Sequence, residues 1–142
     1  MKHQIILLGK DITSVYHGIK EFGPDHVHLL CTNETKEVAA PLFPLLPDGI
    51  RRTLYRTEPY DGEHVRNVCR KIHQTYPSAE FAYNLSEGTK VMAFAAFTIA
   101  KEYSVPAFYL SQLGELIRLD SFEKYPMKSQ LDNKEILGLS GN

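Results

Sequence analysis

Apolar runs too short for helices alternate with stripes spaced for helices, and this alternation most constrains what the chain can fold into. Ile5-Ile6-Leu7-Leu8 is an unbroken apolar run, as expected of a strand covered on both faces. A helix is expected from Thr13, with Val15, Ile19 and Phe22 on one face and Gly23-Pro24-Asp25 as its stop. Residues 27–31 read as a second strand. The polar Thr32-Asn33-Glu34 then leads into a helix carrying Val38 and Leu42. Pro41 and Pro44 are expected to shorten or break that helix, because each lacks an N–H donor.

The polar, β-like stretch 51–56 suits an edge strand. Asp61 is placed to cap the next helix, where Val65, Val68, Cys69, Ile72 and Tyr76 form a stripe at helical spacing and Pro77-Ser78 ends it. Phe81-Ala82-Tyr83 reads as a strand and residues 91–103 as a deeply buried helix. Pro106 precedes the strand Ala107-Phe108-Tyr109-Leu110, and Gln112-Leu113-Gly114 allows a reversal into an antiparallel last strand over 115–119. The pattern predicts an α/β fold: a Rossmann-like three-layer sandwich with a mostly parallel sheet. Right-handed crossovers place helices on both faces.

At 142 residues the chain fits one domain with a proper core. A net charge of −1 offers no global basic field for duplex nucleic acid, although Arg51, Arg52 and Arg56, and Arg66, Arg70 and Lys71, form local basic clusters. Cys31 and Cys69 form no CxxC pair, so a disulfide framework is not expected. The N-terminus runs into an apolar stretch too short for a signal sequence, and no apolar run approaches the roughly 18 residues of a membrane helix. The expected location is cytoplasmic, without a membrane partner.

The run Asn84-Leu85-Ser86-Glu87-Gly88-Thr89-Lys90 joins an apolar strand to an apolar helix. Such a turn aims backbone N–H groups and a helix N-terminus at one point, which suits an anion; Ser86, Thr89 and Lys90 add two hydroxyls and a positive charge. The alternative is a plain turn in which Gly88 relieves strain and Ser86 caps the helix. In open α/β sheets ligands bind beyond the carboxyl ends of the strands, at the switch point of strand order. Three polar loops are expected to gather there: 10–14, 32–35 and 86–90.

Other chemistries find less support. The spacing of a Walker A loop is missing, and so are GxGxxG, GxSxG and HExxH. His26 and His28 share a strand face, but no cysteine or carboxylate at ligand spacing joins them, so a packing or surface role is preferred and no metal or cofactor is expected. Asp120 and Glu123 read as a solvated face, and His64 and His73 as the outward side of an amphipathic helix. Tyr83, Phe94, Phe97, Phe108 and Tyr109 read chiefly as core, one of them able to stack on a base at the rim.

Three segments carry a family resemblance: residues 27–39, the run 84–93 and the strand 106–110. Together they resemble the CRISPR-associated Rossmann-fold (CARF) domains, particularly those at the N-terminus of CRISPR-linked sensor nucleases. The run 84–93 is similar to the family's signature loop, usually written N-[LV]-T-G-G-T-K-x-M, with Glu87 standing where the family commonly has glycine. A carboxylate beside a phosphate costs Coulomb energy unless it turns away or accepts a hydrogen bond from the ligand.

The resemblance implies a homodimer that binds a cyclic oligoadenylate, most often of four adenylates, across its two-fold axis in type III CRISPR antiviral signalling. Carried over residue by residue, it implies a site of Asn84, Ser86, Glu87, Gly88, Thr89 and Lys90, then Lys10, Asp11, Thr13 and Ser14, then Thr32 and Asn33. Some relatives are metal-independent ring nucleases, in which the ribose 2′-OH attacks its own 3′-phosphate. Lys90 would then stabilise charge and Thr13 or Ser14 orient the nucleophile. Residues 1–120 form the expected ligand-binding domain, and 121–142 a polar tail or linker towards an effector domain or effector protein. The alternative is an unrelated small α/β nucleotide-binding module.

Overall fold

The computed structural model describes residues 1–140. In chain order its elements are β1 (Lys2–Leu7), α1 (Thr13–Phe22), β2 (His26–Cys31), a 3-10 turn (Phe43–Leu45), β3 (Arg51–Arg56), α2 (Gly62–Thr75), β4 (Glu80–Asn84), α3 (Lys90–Glu102), β5 (Ala107–Leu110), β6 (Glu115–Arg118), β7 (Lys124–Pro126) and α4 (Asn133–Leu139). The sheet has seven strands in the order β3-β2-β1-β4-β5-β6-β7. Pairing is parallel from β3 to β5 and antiparallel from β5 to β7. The expected α/β sandwich is therefore present, with β3 at one edge.

The period of two along β1 explains its unbroken apolar run. Ile5 and Leu7 join a core layer with Val65, Cys69, Met92, Ala96 and Ile99 of α2 and α3. Ile6 and Leu8 face the other way, against Val15, Ile19 and Leu42. A strand with both faces in the core has no use for polar alternation. Strand order reverses beside β1: one neighbour is β2, reached through α1, and the other is β4. The loops after β1 and β4 are thus left open at the carboxyl end of the sheet, where a ligand has room.

The expected helix over Val38 and Leu42 does not form. Residues 33–42 make consecutive turns, with Val38 N donating to Thr35 O, Ala40 N to Glu37 O and Leu42 N to Ala39 O, each to the carbonyl three residues back. Prolines at 41 and 44 remove donors that a continuous α-helix would use, and the segment closes as separate turns whose bonds come from its other residues. His73 is also not outward: it is buried, its Nε2 lies 2.9 Å from Tyr83 Oη, and its ring stacks on Tyr103. Phe94 and Tyr109, read as core, are exposed.

Residues beyond 120 add β7 to the sheet edge and lay α4 against α1. Asp132 and Glu135 form a capping box, and Glu135 also accepts from Lys20 Nζ at 2.8 Å and from the Tyr16 hydroxyl. Hydrogen bonds from the Asp132 N–H, Lys20 and Tyr16 hold the Glu135 carboxyl down at about 2. Leu139 enters the same core layer as Ile6 and Val15. No helix among the described residues is long and apolar enough to cross a membrane.

Candidate functional site

At the carboxyl ends of β1, β2 and β4 lies an open cleft of about 340 Å³. Lys10, Thr32, Thr35, Glu87, Gly88 and Thr89 line it, so all three polar loops anticipated from the sequence reach it. A fourth loop, after β3, adds Pro59 and Tyr60, which no sequence motif marked. Tyr60 is a largely exposed aromatic at the rim, able to stack on a planar group.

Two hydrogen bonds explain why that fourth loop sits there. The Thr89 hydroxyl accepts from Met92 N at 3.0 Å, capping α3, and donates to the carbonyl of Pro59. The proton of this hydroxyl and one of its two lone pairs are therefore used within the protein, at the first turn of α3. Gly88 precedes it with φ +92, and a Cβ there would lie 3.0 Å from Leu7 Cβ. The turn comes this close to β1 because position 88 has no side chain.

Asn84 and Ser86 likewise turn inward. Asn84 donates to Ser14 O at 3.2 Å, and its Oδ1 accepts from Ser86 N and Ser86 Oγ. Ser86 Oγ in turn accepts from Leu110 N at 2.9 Å, fastening the turn to β5. These two residues shape the loop from behind and do not line the cleft. Thr13 and Ser14 open α1, where Asp11 Oδ1 accepts from Thr13 N and no side chain caps at Ile12. Asn33 is exposed beside the cleft. Lys90 is also exposed, and it lines a separate groove between α2 and α3 with Arg66 and Phe94. Thus Thr13, Ser14 and Lys90 are not brought together at the cleft.

Glu87 turns back on its neighbours: Oε1 accepts from Asp11 N at 3.1 Å. Burial raises its carboxyl above the usual carboxylate range, hydrogen bonds from the Asp11 and Lys10 N–H groups pull it back, and the Asp11 charge adds to the rise. A carboxyl so placed ties the first loop to the signature loop and is shielded by backbone donors. The cleft brings hydroxyls and the Lys10 ammonium towards an anion, with the Glu87 carboxylate engaged by the Asp11 N–H and Glu34 as a second lining carboxylate.

The sequence matches no family model and no curated protein. Solved structures do match. Can2 from Sulfobacillus thermosulfidooxidans, in complex with cyclic tetra-adenylate, superposes with a TM-score of 0.87 at 22% identity, covering 99% of this chain and 41% of that one. A type III CRISPR defence DNA nuclease activated by cyclic oligoadenylate gives 0.76 at 20% identity, over 96% of this chain and 23% of that one. Enterococcus italicus Csm6, bound to cyclic hexa-2′-fluoro-hexa-dAMP, gives 0.70 at 13% identity, over 99% and 38%. The chain spans about two fifths or less of the length of these proteins. Its fold is that of the CARF domains, the family its signature loop resembles.

Proposed function

We propose that this CARF-fold chain binds a cyclic oligoadenylate, cyclic tetra-adenylate in view of the likeness to Can2, in the cleft at the carboxyl end of its sheet. The observation that carries the reading is the convergence there of the Gly88–Thr89 turn with Lys10 and Thr32, at the point where strand order reverses. Phosphates suit the backbone N–H groups at the start of α3 and the Lys10 ammonium. Hydroxyls of Thr32 and Thr35 suit adenine edges or ribose, and Tyr60 suits stacking on a base.

A ring of adenylates is symmetric, and a two-fold dimer offers it the same loops twice. The reading therefore includes a homodimer with one ring at its axis, acting in type III CRISPR signalling and coupled to an effector domain or protein. Titration calorimetry of the chain with cyclic tri-, tetra- and hexa-adenylate tests it. The expected result is saturation at one ring per two chains, weakened by Lys10→Ala and by added salt. Absence of heat with every ring refutes the reading. Chromatography of recovered ligand then separates a sensor, which returns the ring intact, from a ring nuclease, which returns linear products.

A further inference from the structure

At the opposite end of the sheet from the cleft, β1 and β2 bring three histidines onto one face. In the parallel register His3 pairs with His26, and His28 lies two residues further along β2, so all three side chains point towards α2. Two ligands on one strand and a third on its neighbour is a compact way to converge three imidazoles. All three are buried, at 3%, 1% and 0% exposure.

Accounting for their nitrogens gives the cluster its meaning. His28 Nδ1 lies 2.8 Å from Tyr55 Oη, and His26 Nε2 lies 2.8 Å from Thr53 Oγ1. One nitrogen of each of these two rings is thus held by a hydroxyl of β3, which fixes the ring and turns the other nitrogen towards the cluster. Metal-binding histidines are ordinarily oriented through such outer partners. The remaining nitrogens turn towards the cluster: His28 Nε2 sits 2.9 Å from His3 Nδ1, and His26 Nδ1 is buried with no partner among the described residues. One ligand atom from each ring lies within 4.8 Å of the other two. An orphaned buried nitrogen is costly unless something occupies its lone pair.

We propose that His3, His26 and His28 bind a divalent transition-metal ion, zinc in kind, which clamps the amino-terminal ends of β1 and β2 together. Three neutral imidazoles suit zinc and its neighbours, whereas calcium and magnesium ask for oxygen ligands. The rings of Tyr76 and Phe81 pack against the cluster and cover it. This site shares no residue with the cleft, so it stands or falls apart from the ligand-binding reading.

The test uses the full chain without a histidine tag, dialysed against zinc and then against metal-free buffer, with metal content measured by atomic emission. The expected result is about one zinc per chain, a melting temperature raised by zinc, and loss of both in His26→Gln. His64→Gln, altered on the surface of α2, should keep both. No retained zinc and no thermal shift in the wild type overturns the proposal, as does full retention in His26→Gln or loss in His64→Gln. Should His26→Gln fail to fold, the wild type loaded with cobalt decides. Visible absorption of imidazole-bound, low-coordinate cobalt supports the site, and the spectrum of hydrated cobalt refutes it.

Discussion

Gly88→Ala separates two costs that the signature loop imposes, because Gly23 supplies an internal reference. Both glycines hold a positive φ, +92 at Gly88 and +64 at Gly23. At Gly23, the αL cap that ends α1, an added Cβ meets nothing within 4 Å, so Gly23→Ala pays for backbone conformation alone, about 1 kcal/mol. At Gly88 the same Cβ would sit 3.0 Å from Leu7 Cβ and 3.2 Å from Leu7 Cδ1. Leu7 is fully buried in a central strand, and its Cβ moves only if β1 moves. The backbone term is then joined by overpacking of about 1–3 kcal/mol, for a total of about 2–4 kcal/mol.

Urea unfolding followed by fluorescence of the tyrosines reads the difference. With a slope of about 1.5 kcal/mol per molar, Gly23→Ala lowers the midpoint by about 0.7 M and Gly88→Ala by about 1.3–2.7 M. Equal midpoints for the two variants would refute the reasoning, since Leu7 would then be yielding at no cost. The outcome also bears on function. A loop held against β1 by packing is preorganised before any ligand arrives.

Two further perturbations test the groups the structure turns inward. Burial lowers His73 from 6.5 to about 4, so between those pH values the unfolded chain binds a proton that the folded chain does not. Its contribution is complete above pH 6.5 and shrinks as pH falls towards 4, and the slope of stability over that window should flatten in His73→Gln, measured by urea midpoints at each pH. An unchanged slope would show that His73 is not the group responsible. Thr89→Val removes both the cap on Met92 N and the bond to Pro59 O, at an expected cost of about 1–2 kcal/mol, while Thr89→Ser retains most of the stability. Equal losses in the two variants by urea unfolding would refute the hydroxyl's dominant role, since Ser keeps that hydroxyl and Val keeps the methyl group.

Much of the fold was legible because its causes are local. A run such as Ile5–Leu8 has to be a strand covered on both faces, and Asp61 caps α2 through its own His64 N as its position predicts. The segment 33–42 was misread because apolar spacing at Val38 and Leu42 competes with two prolines, and the missing N–H donors won. His73 was misread because an amphipathic stripe reports which residues are apolar and is silent on whether a polar one finds a partner such as Tyr83. At the site, the convergence of the loops after β1, β2 and β4 followed from topology, and Lys10, Thr32, Gly88 and Thr89 line the cleft.

By itself, then, the sequence determined the alternation of elements, the parallel sheet and the small-residue turn that opens α3, since each depends on neighbours along the chain. Only the tertiary structure decided where the polar groups of that turn would point. Asn84, Ser86 and the Thr89 hydroxyl find partners at Ser14, Leu110 and Pro59, far away in sequence, and spend their hydrogen-bonding capacity there. The same holds for His3, which no spacing connects to His26 and His28 until β1 lies beside β2 in one particular register. Hydrogen bonds and metal-like clusters are made between strands, and the pairing of strands is a property of the folded chain as a whole.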